Sequence, residues 1–289
     1  MARRVKIAAC QGIWTTSTDQ NLQRMEVFAQ GISAEWGEMV KLISFTEYAV
    51  TGFHPGKLAE SAEPIPGPAS DRLCEMASKY KLWICSGSQV EKDNGNLYNT
   101  SLLISPEGNI AIKYRKTHPF SDPYGSEVGI KCGKEYPVYD VPGMGKVGIM
   151  ICSDMVFPEV ARALAWNGAE LILWPTMAFP PLRDPLLAMA VARAWENNCY
   201  LMATCGTGQH VGIGLMGHSM LVDPDGQVLN EVGDGETILI DTVDFDYVTV
   251  ARNGDGRRLT PVFKFMKLFG HTYPQYADFL KGEVYKQIA

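Results

Sequence analysis

At 289 residues, with 46% hydrophobic and 20% charged residues, the chain has the make-up of a globular protein that buries its own core without disulfide or metal staples. The formal net charge of −6 and the scatter of the 26 basic residues argue against a nucleic-acid binder and leave a small molecule as the expected partner. Seven cysteines with no CxxC pair argue against a disulfide framework or a zinc site, and no run reaches the roughly 18 apolar residues of a membrane helix, so a soluble, cytoplasmic protein with reduced thiols is expected.

In chain order, the apolar run VKIAAC (5–10) predicts a first strand and NLQRMEVFAQGISAEW (21–36) a first helix. MVKLISF (39–45) reads as a second strand. A helix over 69–80, capped by Ser70 or Asp71, precedes strands at KLWICSG (81–87), SLLIS (101–105), NIAIKY (109–114) and KVGIMIC (146–152). FPEVARALAWNGA (157–169) reads as a helix opened by Pro158 and closed by Gly168, and another helix runs from about Asp184 to Asn198. ELILWP (170–175) and YLMAT (200–204) complete the long strands. The turns PEG (106–108) and PDG (224–226) each separate two strand-like runs and predict hairpins, so the sheets should be mixed. The pattern is that of one α/β domain ending near residue 258. Beyond it, the aromatic tail 259–289 should pack on its own domain or on a second subunit.

Cys152 ends an apolar strand and precedes a helix start, where backbone amides and positive potential favour a thiolate. Glu47 closes the run MVKLISFTEY, and Lys116 follows NIAIKYR, so an acid and an ammonium also fall at strand exits. Together the three make a hydrolytic site. A neutral thiol is a weak nucleophile near pH 7 until a base takes its proton, and Glu47 would be that base. If desolvated, its pKa rises, and the same carboxyl can later protonate a leaving amine and activate water. Lys116 and the backbone N–H of Ser153 would hold the oxyanion.

FTEYAVTG, KYRKTHPF and GIMICSDMVFPEVARALAWNGAELILWPT resemble the three signature segments of the nitrilase-like carbon–nitrogen hydrolases, in the same Glu, Lys, Cys order. IPGP (65–68), LYNTSLLISPEG (97–108), AWENNCY (194–200) and GHSMLVDPDG (217–226) extend the resemblance to about residue 245. It implies a four-layer α-β-β-α sandwich, a Glu47–Lys116–Cys152 triad, a thioester intermediate, no cofactor, and dimers or larger homo-oligomers. It also implies a second glutamate that positions substrate, for which Glu127 is the candidate, although IKCG departs from the usual loop. Tyr48 and Phe120 resemble the aromatic pocket residues of the aliphatic amidases, while core packing is the other reading of both.

The function expected is hydrolysis of a small aliphatic amide. The alternatives are a nitrilase, an N-carbamoyl amine hydrolase and a silent assembly subunit. Nitrilases typically resemble Cys-Trp-Glu at the nucleophile, whereas this chain has Cys152, Ser153 and Asp154. GMGKVG (143–148) satisfies GxGxxG but precedes a strand, so it reads as a turn rather than a dinucleotide site. NTS (99–101) matches a glycosylation acceptor but reads as structural. The five histidines lack HExxH spacing, and a Cys152–His118 dyad would apply only if Glu47 lay far from the thiol.

Overall fold

The computed structural model describes residues 2–120, 126–255 and 262–269. In chain order the elements are β1 (Arg4–Gln11), α1 (Thr18–Trp36), β2 (Val40–Ser44), α2 (Pro68–Tyr80), β3 (Trp83–Cys85), β4 (Gln89–Asp93), β5 (Asn96–Ile104), β6 (Ile110–Arg115), β7 (Val138–Asp140) and β8 (Lys146–Ile149). They continue with α3 (Pro158–Trp166), β9 (Leu171–Thr176), α4 (Arg183–Asn197), β10 (Tyr200–Cys205), β11 (Thr207–His210), β12 (Ile213–Met216), β13 (Met220–Val222), β14 (Val228–Glu231), β15 (Thr237–Asp244), α5 (Phe245–Asn253) and α6 (Val262–Phe269).

Two mixed sheets form. One runs β15-β1-β2-β3-β5-β4 with β6 also on β5; the other runs β14-β13-β10-β9-β8-β7. Strands β1, β2 and β3 are mutually parallel, as are β8, β9 and β10, and antiparallel strands flank both sets. The strict alternation of strand side chains shows why the sequence segments read as continuous apolar runs. In β1, Ile7 and Ala9 enter the core between the sheets, and Ala8 and Cys10 the core under α1 and α2. In β9, Leu171 and Leu173 face the first sheet, and Ile172 and Trp174 face the helix layer of α3 and α4. Both faces of both sheets are covered, which gives the four layers α-β-β-α in a single domain. Across the sheets, Thr204 Oγ1 at the end of β10 donates to Ser44 Oγ at the end of β2 (2.9 Å).

The structure corrects several boundaries. The N-cap of α2 is Gly67, not Ser70 or Asp71, because Pro68 has no N–H to lose and fits the first turn; Ser70 Oγ instead reaches back to the Gly67 N–H (2.8 Å). The strand expected over 146–152 stops at Ile149, and a 3-10 turn over Cys152–Val156 leads into α3. The predicted turns at 106–108 and 224–226 do join antiparallel pairs, β5–β6 and β13–β14. Glycosylation of Asn99 is excluded by its complete burial. The expected domain boundary near 258 and the tail from 270 onward lie outside the described residues. Within the described part of the tail, the Phe263 N–H donates to Asn198 Oδ1 (3.0 Å), and the Arg252 guanidinium lies over the Phe263 ring. Among the described residues no helix is long and apolar enough to cross a membrane.

Candidate active site

Three strand exits at one end of the sandwich carry the expected groups. Beyond β2 the chain turns at Glu47 and passes Tyr48 in the left-handed region (φ 55), with the Tyr48 N–H on Ser88 Oγ (2.8 Å). Gly87 permits this approach: a Cβ there would lie 1.9 Å from the Thr46 carbonyl oxygen. Lys116 leaves β6 with its N–H on the Asn99 carbonyl (2.8 Å) and its own carbonyl on the Gly133 N–H (2.8 Å). Cys152 is also left-handed (φ 43), and Trp174 Nε1 donates to its carbonyl (3.0 Å). A β-carbon in that region is costly and persists only where neighbours impose it, as they do here around the thiol.

The side chains converge. Lys116, 1% exposed, places Nζ 2.7 Å from Glu47 Oε1 and 2.8 Å from Glu127 Oε2. Glu47 and Glu127 are buried as well, and the Cys152 thiol borders Glu47, each acting on the other's titration. Glu127 also accepts from Tyr48 Oη (2.5 Å), from Asn99 Nδ2 (2.8 Å) and from the Phe120 N–H. Thus Glu127 sits at the ammonium, with donors on both oxygens.

Burial pushes Glu47 above the ordinary carboxylate range and Glu127 adds to this, although Lys116 works against both. Burial acts the same way on Glu127, but Lys116 and the hydrogen bonds from Tyr48 and Asn99 outweigh it and hold Glu127 below that range. Burial alone would lower Lys116; the carboxylates of Glu127 and Glu47 raise it well above a free lysine. The Cys152 thiol is pushed up to about 12, first by burial and then by Glu47, with Lys116 opposing. The resting site therefore has a charged lysine, a fixed glutamate anion, a raised glutamate and a neutral thiol, and the thiol needs a base to react.

Above this cluster lies a cavity of about 110 Å³, lined by Tyr48, Phe120 and Ser153 as well as by the charged groups. The rest of its wall is mostly apolar, with Phe53, Val156, Met177, Phe179 and Leu186, and adds the hydroxyls of Ser126 and Thr176. Among the described residues Lys116 is the one cation that lines it. Phe120 is half-exposed at the rim, and Ser153 Oγ donates to the His118 carbonyl (2.6 Å). All seven residues singled out from the sequence meet here. His118 points elsewhere: its ring stacks on Phe157 and its Nδ1 lies 3.3 Å from Asp154 Oδ1. With Glu47 at the thiol, the condition for a Cys152–His118 dyad is not met.

Two residues were missed. Asn99 lay within a segment noted only for its resemblance and as a glycosylation match. Asp154 was read only as the residue that distinguishes this chain from Cys-Trp-Glu. It is fully buried and accepts from the Ile151 N–H (2.9 Å), the His118 N–H (2.9 Å), Thr117 Oγ1 (2.9 Å) and Tyr114 Oη (2.6 Å). It thus ties the turn of Cys152 to the segment that carries Lys116.

Four stacked layers with a thiol, an ammonium and two carboxylates at one end define a class of α-β-β-α hydrolases. The chain belongs to the carbon–nitrogen hydrolase family, which it matches over residues 6–253. Among its relatives are a probable nitrilase of Schizosaccharomyces pombe, 32% identical over 78% of this chain and 83% of that one, and an omega-amidase of Xenopus tropicalis, 31% identical over 67% and 72%. A deaminated glutathione amidase of Synechocystis is 31% identical over 85% and 93%. Among solved structures, Saccharomyces cerevisiae Nit3 of the nitrilase superfamily superposes with a TM-score of 0.78 at 26% identity, over 87% of this chain and 94% of that one. The protein is an amidase-type hydrolase acting on non-peptide carbon–nitrogen bonds.

Proposed function

We propose that the chain hydrolyses a short, neutral aliphatic amide through a thioester on Cys152 and releases ammonia or an amine. The observation that carries this reading is the small apolar cavity over the thiol, with Lys116 as the single cation lining it among the described residues. A carboxylate-bearing substrate, such as the deaminated glutathione in one relative's name, would call for a second fixed cation; Lys116 is already held between two glutamates.

In the acylation half, Glu47 takes the thiol proton as sulfur attacks the carbonyl carbon. The Lys116 ammonium and the Ser153 N–H hold the oxyanion. When the C–N bond breaks, Glu47 returns the proton to the leaving nitrogen. In the second half Glu47 takes a proton from water, whose oxygen attacks the thioester, and as the C–S bond breaks Glu47 returns that proton to sulfur, restoring the thiol. Glu127, carrying four donors, remains an anion that fixes Lys116. The same thiol could attack a nitrile, but Ser153 and Asp154 after the nucleophile favour the amide.

The test is a panel of short amides, carbamoyl compounds and nitriles, followed by ammonia release and intact mass. Turnover of neutral amides with an acyl adduct on Cys152 is the expected result. Turnover of nitriles alone, or of anionic amides in preference to neutral ones, would reject this substrate class.

A further inference from the structure

One side chain grips both glutamates of the site. Asn99, in β5, is fully buried and donates through Nδ2 to Glu47 Oε1 (3.0 Å) and to Glu127 Oε1 (2.8 Å). Both facing groups are pure acceptors when ionised, so chemistry fixes the amide with its nitrogen toward them. Its Oδ1, by contrast, is buried with no hydrogen-bond partner among the described residues. An orphaned buried carbonyl is costly, and a purely structural position would be filled more cheaply by an apolar residue of the same shape. The side chain is therefore there for its two N–H groups.

Their placement separates the two carboxylates. Glu47 Oε1 already accepts from Lys116 Nζ, and Asn99 adds a second donor to that same oxygen. Among the described residues no nitrogen or oxygen donor reaches Glu47 Oε2. Glu127 has two donors on each oxygen: Tyr48 and Asn99 on Oε1, Lys116 and the Phe120 N–H on Oε2. We propose that Asn99 is a positioning residue that makes Glu47 Oε2 the proton-exchanging atom of the site, by occupying Glu47 Oε1 with Lys116 and by completing the donor set that keeps Glu127 an anion. This rests on the reading of Glu47 as the base.

The charged and titratable groups facing Glu47 are Lys116, Glu127 and Cys152, with the Tyr48 hydroxyl behind Glu127. The substitution Asn99→Leu keeps the shape and removes the donors, leaving these groups in place. An ionised Glu47 is then less stabilised and takes up a proton at higher pH. The acid limb of kcat/KM moves up by about one to two units, while activity on the alkaline side recovers towards the wild type. Asn99→Ser, which keeps one hydroxyl donor, gives a smaller displacement in the same direction and serves if the leucine variant fails to fold. Melting curves check that both variants are folded.

An acid limb that stays in place while activity falls equally at every pH would overturn the proposal and reduce Asn99 to a packing role. The wild type and Glu47→Gln, assayed alongside, separate the two readings. If Glu47→Gln turns over at the wild-type rate, the base assignment fails and takes the proposal with it. If Glu47→Gln is inactive and the limb is unmoved in both Asn99 variants, the proposal alone fails.

Discussion

Lys116 and Cys152 are neighbours in one site but differ in what the fold needs from them. Lys116 is an ammonium between two buried carboxylates, at 2.7 and 2.8 Å. Removing one member of a buried ionic cluster leaves uncompensated charge, so Lys116→Ala should cost about 3–5 kcal/mol of stability as well as activity. Cys152→Ala removes a neutral thiol and should abolish turnover with the melting temperature almost unchanged. Glu47→Gln should lower kcat by about 10²–10⁴-fold, the usual size of general acid–base catalysis. Thermal melts beside steady-state rates check all three; a Lys116→Ala protein as stable as the wild type would show that the cluster is not coupled in this way. At this scale the reactive types were legible because each sits at the polar exit of an apolar strand. Asn99 was not, since an asparagine inside a strand gives no sign of what faces it.

At the scale of elements, the 3-10 turn after β8 and the segment after β6 meet on one carboxylate. Asp154 is held below the ordinary aspartate range: burial pushes it up, but His118, Tyr114 and the Ile151 N–H more than reverse that. A group with a depressed folded pKa stabilises the fold above its unfolded value, about 3.9, and that contribution is lost as pH falls through the folded value. Asp154→Asn should therefore cost about 3 kcal/mol near neutrality, and the gap from the wild type should narrow as both are melted at progressively lower pH. A gap constant with pH would remove the charge from the explanation. The central strands of both sheets were predictable because both their faces are buried. Edge strands β4 and β15 and the short β7, β11 and β12 were not singled out, because hairpin geometry and partners distant in sequence set them. The cap of α2 was misplaced by weighing serine over the proline at its first position.

For the whole molecule, each sheet presents one set of side chains to the other and one to its helices, so three apolar cores are stacked in a single domain. The strand pattern announced an α/β protein; the pairing of two sheets face to face came only from the resemblance. Periodicity reports which faces are buried, not what buries them.

Glu47 and Lys116 stand on the first sheet and Cys152 on the second, so the site straddles a seam. Asp154 and the Thr204–Ser44 hydrogen bond stitch that seam near its chemical end. Slippage of one layer past the other by the length of a hydrogen bond would part Cys152 from Glu47 while every strand kept its own ladder. Turnover then serves as a gauge of alignment between layers. In rising urea, kcat should fade before the far-ultraviolet circular dichroism changes, and a Thr204→Val protein should begin to fade at lower urea. Coincident loss of both signals would mean that the layers part only when the strands themselves unravel.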